Sequence, residues 1–92
     1  MKRDKKFYID SIKMDLFRIV TATGDIRKEI PLQSVREFIN HALDDFEKIE
    51  LVSREREIKF QISESLKELD YLQDPHKRLR WAENILTARC RL

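Results

Sequence analysis

The stretch Leu32-Gln33-Ser34-Val35-Arg36-Glu37-Phe38-Ile39-Asn40-His41-Ala42-Leu43-Asp44-Asp45-Phe46-Glu47-Lys48-Ile49 decides how this chain folds. Its apolar residues Leu32, Val35, Ile39, Ala42, Phe46 and Ile49 follow spacings of 3, 4, 3, 4 and 3. That is a heptad seam, the stripe a helix presents to a packed neighbour. The seam lasts only about two and a half heptads, so it predicts close helix packing and not a long coiled coil. Two start signals stand before it. Pro31 suits a first helical position. Ser34-Val35-Arg36-Glu37 has the form of a capping box, in which hydroxyl and carboxylate satisfy orphan amides reciprocally.

Working outward, a helix is expected from about Lys5 to Thr23. With 100° per residue, Tyr8, Ile9, Ile12, Leu16, Ile19, Val20 and Thr23 share one arc. Gly24 follows as a left-handed cap. On the other side, Ile58, Ile62, Leu66, Leu69 and Leu72 mark a third helix. The apolar phase before Glu50-Leu51-Val52-Ser53 does not continue after it. The reading is a break with Ser53 as N-cap; the alternative is one helix of about 40 residues, roughly 60 Å long. Asp74-Pro75 opens a fourth helix reaching about Arg89, since Asp caps well and Pro suits the first position. Leu79, Ala82, Leu86 and Cys90 form one stripe there, and Trp81, Ile85, Ala88 and Leu92 a second beside it. Ile39, Ala42, Phe46, Ile62, Leu66 and Leu69 are the expected core.

The composition agrees. One Gly and two Pro in 92 residues are too few for the turns of an all-β fold or for a linker. The expected architecture is a single all-α domain over residues 1–92, with three or four helices in a small antiparallel bundle or helical hairpin. No apolar run approaches the roughly 18 residues that span a bilayer. The basic opening Met1-Lys2-Arg3-Asp4-Lys5-Lys6 is followed by a stretch broken by Asp10, Lys13 and Asp15, unlike a secretory signal. A lone cysteine, Cys90, can form neither an internal disulfide nor a zinc cage. These features predict a cytoplasmic chain with no membrane association.

Catalytic motifs are missing. There is no Gly-rich phosphate loop, nucleophile elbow or zinc-protease motif, so neither an enzyme nor a cofactor is expected. His41 shares a face with Glu37, Asp44 and Lys48, opposite the heptad seam. Imidazole and carboxylates can ligate a metal, but bundle metal sites draw inward-facing ligands from several helices. This face points outward and includes a lysine, so it reads as solvated surface and no metal is assigned. His76 reads as an exposed first-turn residue.

The net charge of +2 is uneven. Residues 34–74 are acidic and residues 75–92 basic. Lys77, Arg78, Arg80, Arg89 and Arg91, with Trp81 among them, can neutralise phosphates and stack a base. No nucleic-acid-binding motif accompanies them, so nucleic acid stands as the alternative partner, using the C-terminal helix 75–92. The stronger signal is apolar residues off the core stripes: Phe7, Met14, Phe17, Phe60, Tyr71 and Trp81. Several large apolar groups beyond the needs of a small core predict a partner surface. The expected function is a non-enzymatic helical interaction or regulatory module that forms a homodimer or binds a helical protein partner.

Overall fold

The computed structural model describes residues 3–92, and among these four α-helices form. Asp4 opens helix α1, Lys5–Thr23, by accepting the Phe7 N–H at 2.9 Å. Helix α2 spans Leu32–Phe46, α3 spans Ser53–Glu68 and continues into a 3-10 turn at Leu69–Tyr71, and α4 spans Pro75–Arg91. Asp74 caps α4 by accepting the His76 N–H at 2.8 Å, with Pro75 in the first turn. The α4 start follows the Asp74-Pro75 signal, and α1 begins at the expected Lys5 with Asp4 as its cap.

The chain rises and falls in antiparallel order. Ser11 meets Asp45 and Asp15 meets His41 across α1 and α2. Arg36 meets Asp70 and Glu47 meets Lys59 across α2 and the α3 segment. Ser65 meets Trp81 and Glu57 meets Arg91 across α3 and α4. Arg78 and Arg89 return α4 to the end and the middle of α1. The result is an all-α antiparallel four-helix bundle measuring 43 × 24 × 19 Å. No described helix is long and apolar enough to cross a membrane.

Three local expectations are corrected. Gly24 is right-handed, at φ −75° and ψ −19°. It is needed for space instead, since a Cβ there would stand 2.9 Å from the Val20 carbonyl oxygen. The Ser34–Glu37 capping box does not form. Pro31 occupies the N-cap position, its carbonyl takes the Val35 N–H at 3.0 Å, and Leu32 and Gln33 are already helical. The break between α2 and α3 is real, but its N-cap is Val52 and Ser53 is the first helical residue. Glu55 accepts the Val52 N–H at 3.0 Å, which is the half of a capping box that needs no hydroxyl.

The core joins Ile12, Leu16 and Ile19 of α1, Val35, Ile39, Ala42 and Phe46 of α2, Ile58 and Ile62 of α3, Leu69 and Leu72, and Trp81, Ile85 and Ala88 of α4. Five of the six expected core residues are buried. Leu66 is only half-buried, because α3 turns Ser65 inward and the Ser65 carbonyl receives the Trp81 indole N–H at 3.0 Å. Helix α4 is likewise rotated from the first stripe toward the second. Trp81, Ile85 and Ala88 face the core with Ala82, while Leu79, Leu86 and Cys90 are exposed.

Phe46 is 1% exposed in this core. Phe46→Ala should destabilise the fold by about 3–5 kcal/mol, the range for emptying a large aromatic site, as a lowered denaturation midpoint in urea. Near-normal unfolding of that variant would place the α2 seam outside the core.

Candidate functional site

The off-stripe residues do not share one surface. Trp81, expected among them, is 2% exposed and belongs to the core. Its ring fills the α3–α4 interface and its one donor is satisfied by Ser65. The other five remain in solvent, at 42% for Phe7, 50% for Met14, 52% for Phe17, 65% for Phe60 and 73% for Tyr71.

Helix packing sorts these five into three places. Arg89 donates to the Lys13 carbonyl at 3.1 Å and lies over the Phe17 ring at 5.7 Å, so this side of α4 adjoins α1. Met14 and Phe17 lie on the outer flank of α1, and Leu79 and Leu86 on the matching flank of α4. All four side chains are exposed, and the Arg89 guanidinium lies over Phe17 between the two helices. Phe60 and Tyr71 stand elsewhere, at opposite ends of the groove between α3 and α4; its walls carry Glu64 and Glu68 on one side and Lys77 and Arg80 on the other. Phe7 lies at the start of α1, edge-on to Tyr8 with ring centroids 5.3 Å apart and with Arg3 over its face.

Leu79 and Leu86 were missed as surface residues. The sequence offers two apolar stripes on α4 about 135° apart, and periodicity alone does not rank them. The signal that ranks them is chemical. A tryptophan N–H and an arginine on one stripe can reach main-chain acceptors on neighbouring helices.

The basic set is largely consumed by the fold. Arg78 is buried and donates from Nε to the Thr23 carbonyl at 2.9 Å and from Nη2 to the Asp25 carbonyl at 2.8 Å. It therefore closes the C-terminal end of α1, where carbonyls lack helical partners. Arg89 is held on Lys13 and Phe17, and Arg91 pairs with Glu57 at 3.0 Å. Lys77 and Arg80 are the members of the set that line the solvent groove beside Tyr71.

His41 is not on a purely solvated face. Its Nδ1 lies 2.5 Å from Asp15 Oδ2 and 3.7 Å from Asp45 Oδ2. Both carboxylates are buried while the imidazole remains largely exposed. Ser11 donates its hydroxyl proton to Asp45 Oδ2 at 2.7 Å, and not to the imidazole. Arg18 stands 3.6 Å from Asp15 Oδ1 and Lys48 stands 3.8 Å from Asp45 Oδ1. An open cleft of about 490 Å³ lies against this cluster, lined by Tyr8, Ser11, His41, Asp45 and Lys48 with Arg3 and Phe7. Glu37 and Asp44, the acids expected beside His41, take no part in it. Asp15 and Asp45 replace them, one of them from a different helix. Asp15 beside the Ile12–Leu16 stripe and Asp45 beside Phe46 were the visible signals.

No protein-family model, curated protein or solved structure matches the chain.

The Asp15 hydrogen bond holds the His41 imidazolium above its ordinary pKa, helped by the charges of Asp15 and Asp45 and opposed by partial burial and Lys48. A folded-state pKa above the unfolded one stabilises the fold fully at pH below the unfolded value of about 6.5, and this stabilisation is lost as pH rises through the raised value. The stability difference between the parent chain and His41→Gln should therefore be largest near about pH 6 and shrink toward about pH 9. Urea unfolding of both chains in chelator across that range checks this. A difference that grows with pH would contradict the clasp.

Proposed function

We propose that this chain is a non-enzymatic helical interaction module that self-associates as a two-fold dimer through the outer face of α1 and α4. The observation that supports this reading is the α1–α4 seam. There Met14 and Phe17 are half exposed, and Leu79 and Leu86 are 37% and 43% exposed, on the outer sides of two helices that pack together.

Leaving such a face in water forfeits roughly 25 cal/mol for each Å² of apolar area that a partner would cover. A two-fold axis running across the seam would set this face against its own copy, so one surface is covered twice. Two helices meeting two helices would form a second four-helix contact of the kind the chain already builds internally. A small domain gains more than a large one, because its own core hides a smaller share of its surface. Cys90 sits on the same flank of α4 as Leu86 and is exposed, in keeping with a partly apolar rim.

The nucleic-acid reading receives no such support. Three of its five cations are engaged within the fold, and the two others, Lys77 and Arg80, share their groove with Glu68.

Light scattering behind size exclusion, from low micromolar concentration upward, should give a mass near twice 11.2 kDa. Phe17→Glu and Leu86→Glu should each shift the mass toward the monomer while helicity by circular dichroism is retained. Phe60→Glu and Tyr71→Ser, on the α3–α4 side, should leave the dimer intact. A monomeric mass throughout would reject self-association and leave the face to a helical partner of another sequence.

A further inference from the structure

We propose that Asp15, His41 and Asp45 form a binding site for a divalent first-row transition cation of the zinc type. One imidazole nitrogen and two carboxylates are ordinary zinc donors. They come from α1 and α2 and converge at the interface between them, the arrangement that helical-bundle metal sites use.

The geometry admits an ion with small side-chain movements. The three donor atoms lie within 4.8 Å of one another. Some point is then within about 2.8 Å of all three, against about 2.0–2.2 Å for zinc–nitrogen and zinc–oxygen bonds. The ion would enter between Nδ1 and Asp15 Oδ2, and their 2.5 Å contact would open to make room. This requires rotation of the exposed imidazole, while the buried carboxylates stay in place. Ser11 already orients Asp45 through a hydrogen bond at 2.7 Å, as a supporting residue does around a metal ligand.

No fully buried polar side-chain atom among the described residues lacks a partner, so the second carboxylate oxygens of Asp15 and Asp45 reach solvent. Each carboxylate has a second oxygen whose nearest cation, Arg18 or Lys48, stands at 3.6 or 3.8 Å, outside hydrogen-bond reach. Both side chains are at most 4% exposed. Two anions largely taken from water require close compensation; the His41 proton and the Ser11 hydroxyl supply it in the metal-free chain, and a dication would replace that proton between the same atoms. The cleft beside Tyr8, Ser11 and Lys48 gives an entry path and leaves room for a further ligand such as water. The cluster lies on the α2 side of α1, so it does not depend on the α1–α4 face proposed for self-association.

The test uses the full chain carrying Cys90→Ser, which removes the one thiol, stripped with chelator. Zn²⁺ is titrated by calorimetry, and Co²⁺ is followed by visible absorption as a spectroscopic stand-in. One equivalent should bind per chain with a dissociation constant in the micromolar range or tighter. His41→Gln and Asp45→Asn should each weaken binding by about 30-fold or more, and Ser11→Ala by about 10-fold, in line with the effect of outer-shell changes. Lys48→Gln should tighten binding, because it removes a competing cation, and His76→Gln should leave it unchanged. Zn²⁺ should raise the thermal midpoint of the parent chain but not that of the His41 or Asp45 variant, each first checked for helicity. If either of these variants fails to fold, the Lys48 and His76 arms and the Co²⁺ spectrum of the unsubstituted site still decide the matter. Lack of saturable binding up to millimolar metal, or binding unaffected by His41→Gln, would overturn the site and leave a proton-held clasp.

Discussion

The hydrogen bond from the Trp81 indole to the Ser65 carbonyl sets the rotation of half the bundle. Tryptophan in a core has one donor, and burying it unpaired would cost on the order of 1–3 kcal/mol. An acceptor is at hand because α3 tightens at its end. The Leu69 N–H turns to the Leu66 carbonyl, so the Ser65 carbonyl is free for the indole. This single pairing turns Ser65 inward, displaces Leu66 to a half-buried position, and fixes which flank of α4 meets α3. Arg78, one turn earlier on the same side of α4, makes the same kind of contact with the Thr23 and Asp25 carbonyls at the end of α1. Helix α4 is thus pinned to both neighbours by side-chain donors on main-chain oxygens. Its aliphatic residues occupy what these anchors leave.

The outer face follows from those anchors. With Trp81, Ile85 and Ala88 turned inward, Leu79 and Leu86 fall about 140° away, toward solvent. Arg89 lies between α4 and α1, on the Lys13 carbonyl and the Phe17 ring. It ties α4 to the side of α1 that carries Lys13 and Phe17. The apolar face is therefore a by-product of a polar constraint, and it did not show in the hydrophobic spacing.

This separates what could be read from the sequence from what could not. The Asp74-Pro75 start and the α2 seam are local signals, and each was legible from a few neighbouring residues. The exposure of Phe7, Met14, Phe17, Phe60 and Tyr71 was legible too, because each lies far from its helix's single apolar stripe. Trp81 was not, since α4 has two stripes and the choice between them rests on acceptors supplied by α3 and α1. Gly24 was misread for a related reason. A glycine after a helix suggests a left-handed turn, but here it is the Val20 carbonyl, one turn back, that demands the missing Cβ. The neighbourhood of His41 was hidden most thoroughly. Asp15 lies 26 residues away, and only the register of α1 against α2 brings it to the ring.

Helix α1 carries three different duties on three flanks, and their spacing keeps them apart. Ile12, Leu16 and Ile19 face the core. Ser11 and Asp15 lie toward α2, where the imidazole and Asp45 meet them. Met14 and Phe17 lie on the far side, next to α4. Asp15 and Phe17 are two residues apart, which on a helix places them about 160° apart, on nearly opposite sides. A change of charge at Asp15 therefore reaches Phe17 only by rotating or shifting α1 as a rigid rod. Such a movement is opposed by three fully buried side chains in between and by the Arg89 contact on the Lys13 carbonyl. Close-packed interiors resist displacement of this kind. Binding at the proposed polar cluster on α2 would consequently not require binding at the proposed face along α4, even though one helix of 19 residues contributes to both.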